Sequence, residues 1–385
     1  MIDRILRKLP LERLSRRDRA LALKAIEAEA ARERAENERR RAAIERLSEQ
    51  HRQAVRGLVS EQQARELAVA ARREQLALRG LRRTPGSDPR DVERAVREGR
   101  KRLGRHAREL RVDLARLRDL GAARARRLSK LTDPAEAGVT AGRVKFGFMD
   151  TAGAPPHLDP PDAVVYPPFL FGVQYHHSDT SDDFTVDLDW EIDESIGRIT
   201  TRSRMRCPDA GFWNDYATGW VEADLVFVYT APATGRLSAV VEATNLEGTS
   251  RVSLENEFGF SSSETHLRNY MTLRVYHPAT PGESFAEMSH LESRGTDGST
   301  SENRYYPGST YLATLESNGT VEAGDTFFVA VGTRNSDRSV TDDVSVETSS
   351  DFSWVIRSIE LRMLGGDPVI PVVGRARKAR RTARR

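Results

Sequence analysis

The sequence predicts an α+β protein whose two kinds of structure lie in separate domains: a long N-terminal α-helical coiled coil or hairpin, then an all-β antiparallel sandwich of jelly-roll type. Three observations carry this. All the aromatic residues, 4 Trp, 9 Tyr and 13 Phe, lie at or after Phe146, so the segment before it has none with which to build a globular core. Charge changes sign at the same boundary: residues 1–140 hold 37 Lys and Arg against 22 Asp and Glu, residues 141–364 hold 16 against 34, and residues 365–385 hold 7 against 1. The apolar spacing also switches from a helical period to strict alternation. A near-neutral chain therefore divides into a basic helical stalk (1–135), an acidic β-sandwich head (140–365) and a disordered basic tail (366–385).

The stalk comes first. From Leu11 to about Arg83 there is no proline, and Gly57 and Gly80 interrupt a background of Ala, Arg, Glu, Leu and Gln. These are strong helix formers and predict one helix over 11–83. Ile44, Leu47, His51, Ala54, Leu58, Ala64, Leu67, Ala71, Leu78 and Leu81 form its apolar stripe, with gaps. Pro85-Gly86 then makes a turn, and Asp88 stands as N-cap ahead of Pro89. That signature opens a second helix over 89–131, roughly 65 Å long.

Stepping by four and three in turn from Val92, with two fours in succession about Leu103, gives Val92, Val96, Gly99, Leu103, Ala107, Leu110, Leu114, Leu117, Gly121, Arg124, Leu128 and Leu131. All but Arg124 are uncharged in a segment otherwise dense with charge. Such a seam demands helix-on-helix packing. Folding back as an antiparallel hairpin satisfies it, and so does assembly with copies of the same chain into a homo-oligomer; the spacing does not choose.

Most of the stalk arginines are interleaved with glutamates, as a solvated helix surface requires. The exception is the acid-free run from Arg124 to Lys130. Its Arg124, Arg126 and Arg127, with Arg375, Arg377, Lys378, Arg380 and Arg381 of the tail, are the candidate phosphate-binding residues, and nucleic acid is the partner they would take. The same charges could meet the acidic heads of neighbouring copies. At the extreme N-terminus Ile2, Ile5, Leu6 and Leu9 share a helical face beside Arg4, Arg7 and Lys8, a pattern of short interfacial helices that Pro10 cuts off.

In the head, short β-branched and aromatic runs alternate with Gly, Asn, Asp, Ser and Pro clusters. In Asp187-Leu188-Asp189-Trp190-Glu191-Ile192-Asp193 the acids take one face and Leu, Trp and Ile the other, which is a half-buried antiparallel strand. Nine or ten such strands predict a sandwich. The segment NGTVEAGDTFFVAVGTRNSD, Asn318 to Asp337, resembles the hairpin leading into the closing strand of jelly-roll binding domains, a likeness generic to that architecture. The paired prolines of GAPPHLDPPDAVVYPPFLFGVQYHH, Gly153 to His177, predict extended irregular chain.

No residue pattern names a reaction, so a non-enzymatic protein without cofactors is expected. Cys207 is the sole cysteine, which excludes an intramolecular disulfide and a thiol metal cluster. His176, His177, Asp179, Asp182 and Asp183 are metal-capable, but they match no zinc or calcium spacing, and a solvated acidic loop is the simpler reading. Candidate ligand-binding residues are Phe212, Trp213, Tyr216 and Trp220 in one aromatic cluster and Tyr166, Phe169 and Tyr175 in another. Aromatics flanking strands more often plug a sandwich core.

The expectation is thus an oligomeric helical stalk displaying a sandwich head that binds a glycan or protein surface, as fibre and lectin-like proteins do. The alternatives are a nucleic-acid-associated assembly protein and a hydrolase whose carboxylate pair cannot be chosen from sequence. No apolar run reaches the ~20 residues of a spanning helix, and the opening residues lack a secretory apolar core. A soluble protein is expected, cytoplasmic or released without a signal peptide as part of a particle.

Overall fold

The computed structural model describes residues 16–132, 147–148, 161–180, 184–207, 215–255, 257–258, 263–277, 282–295, 300–341 and 345–365. The N-terminal amphipathic segment, Asp182, Asp183, Phe212, Trp213 and the tail with Arg375, Arg377, Lys378, Arg380 and Arg381 lie outside them.

Four helices open the described chain where two were expected: α1 (Arg16–Arg56), α2 (Glu61–Arg83), α3 (Pro89–Glu109) and α4 (Leu114–Thr132). The first break follows from a capping box. Ser60 Oγ accepts from the Gln63 backbone N–H at 3.2 Å, and Gln63 Oε1 accepts from the Ser60 N–H at 2.8 Å. At the second break Arg111 enters the left-handed region at φ 58°. The Val112 N–H then donates to the Ala107 carbonyl at 2.8 Å, and Asp113 caps α4 by accepting from the Arg116 N–H at 3.1 Å. An arginine does here what glycine usually does, and Val112 is buried behind it.

The helices fold back on one another within the chain, α1 along α4 and α2 along α3. Ile44 and Leu47 meet Leu128, Arg124 donates to Ser48 Oγ at 3.1 Å, Gln63 Nε2 donates to the Leu110 carbonyl at 2.7 Å, and Arg102 pairs with Glu74 at 2.6 Å. The paired numbers rise on one side as they fall on the other, so the pairing is antiparallel. Each member of the heptad seam is buried or half-buried. The hairpin is thus the arrangement, and the seam is consumed by it.

All the described strand pairs of the sandwich are antiparallel. One sheet runs β1 (Gly147–Phe148), β11 (Ser309–Val321), β7 (Gly235–Glu255), β13 (Ser345–Leu364), β5 (Arg198–Cys207), β4 (Thr185–Asp193), with β10 (Thr300–Tyr306) on β7 and β2 (Ala163–Val165) on β13. The other runs β3 (Phe171–Thr180), β6 (Asp215–Thr230), β12 (Thr326–Thr341), β8 (Ser263–Tyr276), β9 (Gly282–Gly295). Between them lie Ile199, Leu225, Phe227, Leu273, Val329, Val331, Phe352, Trp354 and Ile356. β4 turns its acids outward as its alternation predicts, and these pair with Arg198 and Arg202 of β5 at 2.9 Å.

Two corrections concern the strands. The expected irregular chain around Phe171 to His177 is strand β3, and the runs at 236–245 and 251–260 belong largely to one 21-residue strand, β7. Proline pairs precede β3 without entering it, and β7 is long enough to pair first with β11 and then with β10 on the same side.

The helices are not a free stalk, because they dock on one end of the sandwich. Phe258, just after β7, packs on Gly99 of α3, where any side chain would run into its ring. Arg79 pairs with Glu255 at 2.7 Å, Arg82 pairs with Glu257, and Arg100 Nε donates to the Glu257 carbonyl oxygen at 3.1 Å. On the other side Tyr216 and Val340 pack with Ile44, Leu47, Leu128 and Leu131.

Glu257 shows how tightly this interface closes, since its side chain is 2 % exposed. Arg82→Ala leaves that carboxylate buried without its guanidinium and is expected to cost about 3 kcal/mol in chemical denaturation. Arg41→Ala, which removes an exposed pair with Glu45, should shift the same transition by no more than about 0.5 kcal/mol.

Candidate functional site

Strand alternation gives the five-stranded sheet two faces, one in the sandwich core and one outside it. On β6 the outer face carries Tyr216, Trp220, Glu222, Asp224 and Val226. The register sets Arg334 opposite Glu222, Gly332 opposite Asp224 and Ala330 opposite Val226 on β12. Beyond β12, Thr272 lies across from Gly332, Arg274 from Ala330 and Tyr276 from Phe328. Tyr175 of β3 faces Glu222 from the other side. An outer face is ordinarily solvated. Here Glu222 and Asp224 are 0 % exposed, Arg274 1 %, Tyr175 3 %, Tyr276 4 %, Arg334 6 % and Trp220 8 %.

The buried charges are organised around Glu222. It accepts from Arg274 through Nε at 2.5 Å and Nη2 at 3.0 Å, and from Arg334 Nε at 2.5 Å. Each guanidinium also stacks on a ring, Arg274 at 4.7 Å from the Tyr175 centroid and Arg334 at 4.2 Å from that of Trp220. The hydroxyls of Tyr175 and Tyr276 hydrogen-bond at 2.5 Å. Thr272 Oγ1 donates to Asp224 Oδ1 at 2.8 Å, while Asp224 Oδ2 has no hydrogen-bond partner. Room for Asp224 exists because position 332 is glycine: a side chain there would collide with Asp224 and the Ala223 carbonyl oxygen.

The two carboxyls, neighbours on one strand face, are driven apart in acidity. Burial pushes Glu222 up, but Arg274 and Arg334 outweigh it and hold its carboxyl at about 2. Asp224 is raised well above its ordinary value by burial and then by the charge of Glu222, against the opposing pull of Arg274. Glu222 is therefore the ionised partner and Asp224 the one that keeps a proton.

The sequence candidates are distributed unevenly. Tyr175 and Trp220 belong to the cluster. Tyr216 shares their face but lies under α1 and α4, and burial raises its hydroxyl to about 12. Phe169 is a core residue, 6.4 Å from Phe227, and Tyr166 stands apart at 63 % exposure. His176 and His177 point to opposite faces of β3, the first stacked on Trp190 at 5.0 Å and the second beside Trp220 at 6.4 Å. His177 shares a face with Asp179 while His176 turns to the other, and among the described residues no three His, Cys, Asp or Glu side chains are grouped to hold a metal. Arg124 is turned into the hairpin, 3 % exposed, whereas Arg126 and Arg127 are exposed.

Sequence reasoning passed over Glu222, Asp224, Thr272, Arg274, Tyr276, Gly332 and Arg334. One signal was present: two acids at alternate positions in Trp220-Val221-Glu222-Ala223-Asp224-Leu225, a strand whose other face is wholly apolar.

No family model matches the chain, and no curated protein does. Among solved structures it is similar to TmCBM61 in complex with β-1,4-galactotriose, at 7 % identity and a TM-score of 0.13 over 47 % of this chain and 89 % of that one. It is similar also to the family 11 carbohydrate-binding module of a cellulosomal cellulase of Clostridium thermocellum, at 6 %, 0.11, 48 % and 94 %. The enzymatically active domain of tailspike protein 4 of bacteriophage CBA120 matches at 9 %, 0.11, 41 % and 18 %. Likenesses this slight decide neither fold nor ligand.

The charge assignment predicts opposite outcomes for two near-isosteric variants. Glu222→Gln leaves two buried guanidiniums without their carboxylate and is expected to cost about 3–5 kcal/mol. Asp224→Asn replaces a group that is already neutral and should cost under about 1 kcal/mol. Because folding lowers the Glu222 value from 4.5 to about 2, its contribution is present above 4.5 and is lost as pH falls towards 2. Denaturation of Glu222→Gln across that window should lack this acid limb; equal costs for the two variants would overturn the assignment.

Proposed function

We propose that the chain is a non-enzymatic structural or binding protein whose jelly-roll-like sandwich recognises a glycan on the outer face of the five-stranded sheet. The observation that supports this reading is the pair of stacked guanidiniums. Arg274 and Arg334 fix the rings of Tyr175 and Trp220 while both are hydrogen-bonded to one buried carboxylate. Aromatic planes held rigid in this way lose little freedom on meeting a sugar ring, and the nearby charges supply directed hydrogen bonds. Trp220 and Arg334 are the most exposed members of the cluster, with half-buried His177 beside them, so this edge is where the ligand arrives.

Homo-oligomerisation through the helices remains part of the proposal, on surfaces other than the seam, which the hairpin uses. The helices do not span a bilayer: among the described residues none is long and apolar enough to cross a membrane.

A hydrolase is the reading that the divergent acidities of Glu222 and Asp224 favour, since acid–base pairs are made that way. Their geometry opposes it. Both carboxyls are fully buried, so no scissile bond can be brought between them, as a glycosidase requires. Phosphate binding by the helices keeps Arg126 and Arg127 and loses Arg124.

A glycan array probed with the full-length protein and with Trp220→Ala tests the proposal. Binding that the variant loses, with its circular dichroism unchanged, is the expected result. Silence of the wild type across the array would overturn the glycan reading, and DNA binding that falls steeply with salt would move the assignment to nucleic acid.

A further inference from the structure

A second unusual region lies inside the sandwich and is independent of the outer face. The inner face of β12 is apolar from Phe327 to Val331 and then polar through Thr333, Asn335, Asp337, Ser339 and Thr341. The facing strands change in step, with Asn269 on β8, Thr201 and Ser203 on β5, and Thr348 and Ser350 on β13. None of these five residues, nor Asn335 or Asp337 between them, is more than 3 % exposed.

The groups are in one cluster. Asn269 Nδ2 donates to Asn335 Oδ1. Asn335 Nδ2 crosses between the sheets to the Thr201 carbonyl at 2.8 Å and the Ser350 carbonyl at 3.5 Å. Thr348 Oγ1 donates to Asp337 Oδ2 at 3.4 Å, and Ser350 lies opposite Ser203 in the β13–β5 register. Within this cluster Asp337 Oδ1, Asn269 Oδ1, Ser203 Oγ and Ser350 Oγ have no hydrogen-bond partner. Four oxygens from four strands are thus enclosed and unpaired.

We infer that these oxygens form a binding site for a hard monovalent cation, sodium or potassium, held between the sheets by Asp337, Asn269, Ser203 and Ser350. The donor set is oxygen alone, which selects a hard ion over a transition metal. The charged residues of the same strands, Glu264, His266, Arg334 and Arg338, lie on the outer face by alternation. Cys207, the titratable neighbour on β5, packs instead with Phe184, Met205 and Ala217. Among the described residues Asp337 therefore has no counter-ion on its own side of the sheet. One carboxylate neutralises one positive charge; a divalent ion would leave a net charge in an enclosed site, which is strongly unfavourable.

Thermal unfolding of the full-length protein in sodium, potassium or choline chloride at one ionic strength tests the inference, since choline is too large to enter. The expected result is a higher midpoint in sodium or potassium than in choline, rising with concentration to saturation. The difference should vanish in Asp337→Asn. Should that variant fail to fold, Ser350→Ala, which removes a single ligand oxygen, should raise the half-saturating cation concentration. Equal midpoints in all three salts would mean that ordered water alone satisfies these oxygens. A cation effect unchanged in both variants would place the ion elsewhere. Either result overturns the site, and neither bears on glycan binding.

Discussion

Glu222 is the charge on which the outer face of the five-stranded sheet depends. Removing it from water is costly, and what makes its burial tolerable is two guanidiniums arriving from two different strands, each backed by an aromatic ring. That requirement fixes much else. Arg274 and Arg334 can both reach Glu222 only in the register in which β6, β12 and β8 run side by side, and a one-residue slip would turn every one of these groups into the apolar core. Gly332 follows from the same constraint, because Asp224 occupies the space that a side chain would need. A network of this kind specifies an alignment even where it adds little to net stability.

The fold was legible where burial was decided by local pattern. The acids of β4 and the heptad seam of the helices lie where alternation and a 3.5-residue period place them. The helix breaks were half legible: Ser60 and Gln63 form a capping box that can be read from the sequence, whereas Arg111 in the left-handed conformation cannot, since nothing local distinguishes it from its helical neighbours. Strand β3 was hidden by the prolines before it. What makes it a strand is ten residues of pairing with β6, from Phe171 opposite Val226 to Thr180 opposite Ala217, a partner distant in sequence.

The site was less legible for a related reason. Tyr175 and Trp220 could be nominated because aromatic residues near turns are conspicuous. Glu222, Arg274 and Arg334 are common residue types on three separated strands, and only strand register makes them one group. A period-two pattern says which face a residue is on but not whether that face meets water. For this sheet it does not, so polar residues that alternation would assign to solvent are buried. Arg124 fails in the reverse sense: its place in the seam signalled burial, its place in an acid-free run signalled phosphate, and the seam prevailed.

The division of charge along the chain acquires a partial explanation from the docked helices. A basic N-terminal segment and an acidic body could have met between molecules, but part of that complementarity is satisfied within the chain, through Arg79 with Glu255 and Arg82 with Glu257. The two pairs differ in consequence. Arg79 and Glu255 are each about one-third exposed, so salt should screen them. Glu257 is enclosed, and its pairing resists screening. The helices also cover the outer face at the polar end of β12, where Val340 packs with Ile44, Leu47 and Leu128. An exposed end of that composition would hydrate and loosen. Covered by the hairpin, it is held in register, so the helices complete the sandwich as well as extending from it.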